Sequence, residues 1–189
     1  MNISAVLLAG GESRRMGCDK ANLLFRGKPL WQTQLQVLRK LGPVEIFASA
    51  RTDPAWRPPD MVFVADGSPS RGPLSGVAAS LDRISTTHLL ALAIDLPWMT
   101  EEYLKLLCTK MVPGRGVVPM IDNRAEPLAA IYPREAAIDF RTALRGTDFS
   151  LQSLVSDLVR FGKLQEMSVA ETEKKFFLNV NAPSDLASA

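Results

Sequence analysis

An apolar run, Ile3 to Leu8, breaks without transition into Ala9-Gly10-Gly11-Glu12-Ser13-Arg14-Arg15-Met16-Gly17-Cys18-Asp19-Lys20, and this junction constrains the chain more than any other part of it. Apolar residues packed without alternation fit a strand buried on both faces, the habit of parallel sheets covered by helices. The loop therefore leaves the carboxyl end of a strand. There Gly10 and Gly11 let backbone N–H groups close on an anion, while Arg14, Arg15 and Lys20 supply countercharge. That combination suits a triphosphate, whose oxygens accept several charge-assisted hydrogen bonds at once. Neither G-x-x-x-x-G-K-[ST] nor G-x-G-x-x-G occurs here, so a nucleotide would be held by another kind of loop. An ordinary surface loop is the alternative reading of the same glycines and charges.

Beyond the loop, strand and helix patterns alternate. Pro29 suits a first helical position and is followed by apolar Leu30, Leu35, Val37, Leu38 and Leu41, with Gly42-Pro43 as the stop. Residues 44–49 predict a second strand, giving a right-handed parallel strand–helix–strand unit. Pro54, Pro58 and Pro59 predict an irregular crossing, residues 61–65 a strand ending at Asp66, and residues 72–84 a helix with Pro73 near its start. Residues 89–94 are the most apolar run and predict a central strand ending at Asp95; Thr100 caps a helix running to about Met111. From Gly116 the pattern changes: residues 117–121 and 128–132 predict a hairpin with its turn at Asp122-Asn123. Helices over 134–144 and 151–159, a strand over 163–169 and a short helix after Pro183 complete the expectation.

A chain of 189 residues fits one domain with a single large core, and 47% apolar with 22% charged residues is ordinary for a globular protein. A net charge of +2 gives no argument for nucleic acid or a membrane surface, which call for concentrated basic patches. The basic residues instead crowd the N-terminal region, at Arg14, Arg15, Lys20, Arg26 and Lys28. Cys18 and Cys108 form no metal or disulfide pattern, and the opening apolar stretch has neither the charged leader of a signal peptide nor the length of a membrane span. A cytoplasmic protein is expected, with the lone His88 in a structural role.

Leu8-Ala9-Gly10-Gly11-x-Ser13-x-Arg15-Met16-Gly17-x-Asp19-Lys20-Ala21, followed by Gly27-Lys28-Pro29-Leu30, resembles the signature of the molybdenum cofactor guanylyltransferases. The resemblance continues at Asp66, at Gly72-Pro73-Leu74-Ser75-Gly76, at Asp95-Leu96-Pro97-Trp98-Met99, at Glu126 to Tyr132 and at Asn179-Val180-Asn181-Ala182-Pro183. It implies a three-layer α/β/α nucleotidyltransferase fold, Rossmann-like, with a mostly parallel sheet and an antiparallel acceptor-side insertion. It further implies one domain over 1–189, with a nucleotide-binding half (1–111) and an acceptor-binding half (112–189).

By the same resemblance, Asp95 would hold the Mg²⁺ that bridges the phosphates, Lys20 would bind phosphate, and Arg15 would stabilise the triphosphate or its leaving group. Leu8, Ala9, Gly10 and Gly11 would meet the nucleotide through backbone, with Gly72, Pro73, Leu74 and Gly76 along the nucleoside. Asp66 would contact guanine, whose N1–H and exocyclic amine are both donors. Asn179 and Asn181 would lie at the pterin acceptor. The implied substrates are GTP and molybdenum-loaded molybdopterin, with proteins that deliver the labile cofactor or mature molybdoenzymes as partners. Asp95 and Asp66 could alternatively be turn residues, and Gly72-Pro73 a plain helix start. The second strand departs from the family, ending in Ala48-Ser49-Ala50-Arg51 where an asparagine is usual near the nucleotide. Two further readings stay open: a cytidylyltransferase on the same cofactor, which Gly11 disfavours, and a non-catalytic nucleotide-binding module.

Overall fold

The structure is a computed structural model that describes residues 2–10, 19–67, 69–180 and 185. Its elements are β1 (Ile3–Leu8), β2 (Leu24–Phe25), β3 (Lys28–Pro29), α1 (Leu30–Leu41), β4 (Ile46–Ala50), β5 (Val62–Ala65), α2 (Pro73–Leu81), β6 (His88–Ala93), α3 (Glu101–Lys110), β7 (Gly116–Ile121), β8 (Arg124–Ala125), β9 (Ala129–Pro133), α4 (Ala137–Arg145), α5 (Leu151–Arg160) and β10 (Leu164–Ser168). Short 3₁₀ helices cover Lys20–Asn22, Arg134–Ala136 and Glu171–Phe177.

The main sheet runs β10-β7-β9-β6-β1-β4-β5, with β8 paired to β7. β1 pairs in parallel with β6 from Ile3↔His88 to Leu8↔Ala93, and with β4 from Ala5↔Ile46 to Leu8↔Ser49. β9 runs antiparallel to both β6 and β7, and β10 returns parallel to β7. The expected mostly parallel sheet with an antiparallel insertion is what forms.

Both faces of the sheet are covered. Ile3, Ala5 and Leu7 of β1 and Leu90 and Leu92 of β6 pack with Leu35 and Leu38 of α1 and Leu104 and Leu107 of α3. Val6 and Leu8, with Leu89 and Ala91, face the other way onto Val77 of α2, Phe140 of α4 and Leu158 of α5. The unbroken apolar strands follow, since each alternate side chain enters a different core.

Several boundaries differ from the sequence pattern. Pro29 is not inside the helix; it caps α1 with an extended backbone (ψ 145°) and also closes the small β2–β3 ribbon. The expected antiparallel pairing of the two segments forms, β7 with β9; what the pattern did not announce is the two-residue β8, onto which Asp122 and Asn123, both with positive φ, first turn β7, and the second pairing of β9, with β6. The 3₁₀ helix at Glu171–Phe177 has no apolar periodicity to announce it. The helix expected after Pro183 falls outside the described residues. His88 is structural: it is buried, with Nε2 3.1 Å from the Val112 carbonyl and Nδ1 3.0 Å from the Thr87 hydroxyl.

Gly116 is required by sheet packing. A Cβ there would fall 1.9 Å from the carbonyl oxygen of Ile131 on the neighbouring β9. Gly116→Ala is expected to lower stability by about 3 kcal/mol through overpacking, read as a lower urea midpoint at unchanged slope. A wild-type midpoint would contradict the β7–β9 packing.

Candidate active site

Parallel pairing brings the carboxyl ends of β1, β4, β5 and β6 to one edge of the sheet. Ile94 donates its N–H to the Leu8 carbonyl (3.1 Å), Ala9 to Ser49 (2.9 Å) and Asp66 to Ala50 (3.0 Å), so the segments leaving these strands stay in register past the strand ends. Leu8-Ala9-Gly10, Ser49-Ala50, Asp66 and Asp95 therefore form a single rim. Ligands of open α/β sheets bind outside such a rim.

Two carboxylates on it are held in different ways. Asp95 lies two residues past the end of β6, and its Oδ2 receives Lys20 Nζ at 2.9 Å, with the two side chains 24% and 22% exposed. Lys20 opens a 3₁₀ turn whose cap is Asp19: the Asp19 carboxylate accepts from Ala21 N–H (3.0 Å) and from the Trp56 indole N–H (3.1 Å). From the other side, the main chain of Asp95 is pinned by Val180 N–H donating to its carbonyl at 2.9 Å. Buried Gln34 of α1 donates through Nε2 to the carbonyl of the next residue, Leu96. Lysine and carboxylate are thus presented together at the rim, both partly exposed.

Asp66 sits in a recess made by absent side chains. A Cβ on Gly10 would lie 2.7 Å from Asp66 Oδ2; one on Gly76 would lie 2.5 Å from Ser49 Oγ, 2.9 Å from Leu8 Cδ2 and 3.3 Å from Asp66 Oδ1. Ser49 donates to Asp66 Oδ1 at 2.6 Å, which fixes the carboxylate's orientation. Asp66 is thus not a bare turn residue. The two glycines make the space and the serine sets the angle, with one oxygen turned toward Gly10 of the β1 loop.

The remaining expected residues divide. Gly72 has φ +66°, a conformation costly to any side chain, and Pro73 occupies the first turn of α2, so this segment is a helix start whichever ligand it meets. Leu8 and Leu74 have their side chains buried in the core, leaving only backbone to offer a ligand. Asn179 is exposed and adjoins the Val180–Asp95 contact, so the C-terminal segment does reach the rim. Gly11, Arg15 and Asn181 lie outside the described residues, as do Arg14 and Cys18. Gln34 and Trp56 went unassigned in the sequence; the signal for Gln34 was a polar residue on the apolar stripe of α1, between Leu30, Leu35 and Leu38. Ser49, where the family commonly places an asparagine nearby, serves Asp66.

The chain collects its charge on this rim in the manner of the nucleotidyltransferases. The family model described as MobA-like NTP transferase domain matches residues 5–161, and the chain belongs to that family. A relative from Opitutus terrae named "Probable molybdenum cofactor guanylyltransferase" is 35% identical over 97% of this chain and 92% of its own. One of the same name from Bacillus licheniformis is 31% identical over 96% and 93%. Among solved structures, the molybdopterin-guanine dinucleotide biosynthesis protein A of Archaeoglobus fulgidus superposes with a TM-score of 0.76 at 25% identity, covering 98% of this chain and 95% of that one. The 2-C-methyl-D-erythritol 4-phosphate cytidylyltransferase of Thermus thermophilus shares the fold, with a TM-score of 0.70 at 18% identity over 100% and 97%.

Gly76→Ala tests the recess. A helical Gly→Ala change ordinarily stabilises by about 1 kcal/mol. Here the gain should vanish because the new methyl displaces Ser49 Oγ and crowds Leu8 Cδ2, and Ser49→Ala in the same chain should recover only part of it, since the Leu8 contact remains, as measured by urea unfolding of the two single variants and the double. Full stabilisation in Gly76→Ala alone would contradict the packing around Asp66.

Proposed function

We propose that this enzyme transfers GMP from GTP to the terminal phosphate of molybdenum-loaded molybdopterin and releases pyrophosphate. An oxygen of the acceptor phosphate forms a bond to the α-phosphorus of GTP while the bond from that phosphorus to the bridging β-oxygen breaks. The nucleophile is already ionised at neutral pH, so no general base is required. Two polyanions must meet, and catalysis is positioning with charge neutralisation. The Lys20–Asp95 pair, 2.9 Å apart at the end of β6, is the observation that carries the reading. The names of the relatives support the choice of substrates.

Lys20 is the phosphate ligand and Asp95 the carboxylate for Mg²⁺. Among the described residues no three His, Cys, Asp or Glu side chains gather into a metal cage. That fits Mg²⁺, which commonly takes one or two carboxylates and fills its remaining positions with water and phosphate. Bound there, Mg²⁺ would supply positive charge to the phosphates. Arg15 and the backbone of Gly10 and Gly11 complete the triphosphate site, and Asn179 and Asn181 contact the acceptor.

Guanine is preferred over cytosine because of Asp66. A carboxylate accepts the two adjacent donors of guanine, N1–H and the exocyclic amine, whereas cytosine sets an acceptor beside its single amine. The position of that carboxylate between Gly10 and Gly76 supports this reading.

Pyrophosphate release from GTP, CTP, ATP and UTP with Mg²⁺ and molybdenum-loaded molybdopterin tests the assignment, with release expected from GTP alone. Asp95→Asn should cut turnover at least ~100-fold, the loss typical of one electrostatic group, with an unchanged circular dichroism spectrum. Lys20→Ala should weaken GTP binding roughly tenfold through the lost charge-assisted contact. Turnover with CTP would move the protein to cytidylyl transfer, and full activity in Asp95→Asn would sink the metal assignment.

A further inference from the structure

A cleft of about 600 Å³ opens on the α1/α3 side of the molecule. Its walls contain three aromatic rings, Phe25, Trp98 and Phe176, and three cations, Arg26, Lys28 and Lys175, and among the described residues no carboxylate lines it. Trp98 meets Phe25 edge-on, with ring centroids 5.2 Å apart. The Arg26 guanidinium lies 5.0 Å from the Phe25 ring centroid, and Lys175 Nζ 5.5 Å from that of Phe176. None of the three cations makes an ion pair among the described residues, whereas neighbouring Lys174 is neutralised by Asp122 and Glu171. Arg26 also holds φ +50° beside Gly27 at +76°, in the two-residue turn joining β2 to β3. Asn, Asp or Gly would take that first position with less strain, so the turn keeps an arginine at the cleft against its backbone preference.

The segments that build the cleft are continuations of the candidate active site. The chain from Lys20 runs on to Phe25, Arg26 and Lys28, the chain from Asp95 to Trp98, and Lys175-Phe176 lead to Asn179. The recess of Asp66, in contrast, is closed by Gly76 of α2, on the opposite face of the sheet from α1 and α3. The product of the proposed reaction carries two flat heterocycles that need separate seats. An aromatic wall with a cationic rim, in a volume within the usual range for a small-molecule site, suits a planar ring bearing negative charge.

We propose that this cleft seats the pterin of the acceptor, with Trp98 and Phe176 against the ring and Arg26, Lys28 and Lys175 attracting its anionic groups. The assignment rests on the guanylyl-transfer reading for the identity of the acceptor. Trp98 and the cations are binding residues, and the chemistry stays with Lys20 and Asp95.

Titration of the full chain with pterin-6-carboxylate, a stable anionic pterin, followed by quenching of the pterin's fluorescence, is the test. Saturable binding is expected, weakening as salt is raised. It should fall roughly tenfold in Trp98→Leu, as for loss of one stacking and cation–π partner. A similar fall is expected in a Lys28→Gln/Lys175→Gln double variant, whose two sites are exposed and carry little folding load, while GTP affinity stays unchanged in both. In the pyrophosphate assay both variants should raise KM for molybdopterin without raising it for GTP. Absent binding, wild-type affinity in both variants, or displacement of the pterin by GMP would each overturn the assignment. The two readings can fail separately. Turnover by the wild type with an unchanged acceptor KM in the variants would overturn the cleft and leave guanylyl transfer standing, whereas no turnover with pterin binding lost in the variants would do the reverse.

Discussion

The parallel pairing of β1 with β6 is the contact on which the site depends. Six residue pairs in register, from Ile3↔His88 to Leu8↔Ala93, place the glycine loop and Asp95 at the same height on one edge of the sheet. Both strands are buried throughout, so a slip by one residue would turn every side chain into the opposite core and is strongly disfavoured. Rigidity in the middle of the sheet is thereby converted into accuracy at its rim. Charge-neutralising catalysis needs that accuracy, because an electrostatic contribution depends on distance and on groups already in position before the reaction.

On that rim the protein supports its polar groups from behind. Asp19 and Trp56 set the turn of Lys20, Gln34 and Val180 hold the main chain around Asp95, and Ser49 orients Asp66. Glycine contributes by absence: Gly10 and Gly76 leave the volume that the Asp66 carboxylate fills. The helices divide the surface between them, with α2 closing the Asp66 recess and α1 and α3 bordering the aromatic, basic cleft. That division gives the molecule two differently built features, a polar recess and an aromatic, basic cleft, on opposite faces of the sheet.

Much of this was legible in the residues. Continuous apolar runs at β1 and β6 announced doubly covered parallel strands, and each ended in the residue types that a phosphate site requires. Helix caps at Thr100 and Gly42 read correctly, since each is a local event: Thr100 accepts from Tyr103 N–H, and Gly42 adopts the left-handed conformation that ends α1. The antiparallel pairing of β7 with β9 was legible too, but not the short β8 between them or the second pairing of β9, with β6, because the turn at Asp122-Asn123 carries no information about which strand fills the gap beside β6. The 3₁₀ helix at Glu171–Phe177 was silent for a similar reason. Its place is set by Tyr103, whose ring packs 5.3 Å from Phe177, far away in the chain.

By itself the sequence determined which chemistry the chain could bring: a glycine-rich loop with its lysine, an aspartate closing the most apolar strand, and a period of alternation that admits only a layered α/β fold. Those features are local and depend on residue type and spacing. Tertiary structure alone decided which of these groups meet. It set Lys20 on Asp95 across 75 positions of sequence and Ser49 on Asp66 across 17. It also turned Phe25, Trp98 and Phe176, three aromatic residues far apart in the sequence, into the walls of one cleft. The physical reason is that ion pairs, recesses and clefts are properties of distance in space, and that distance follows from how strands register and helices pack once the cores on both faces of the sheet are filled.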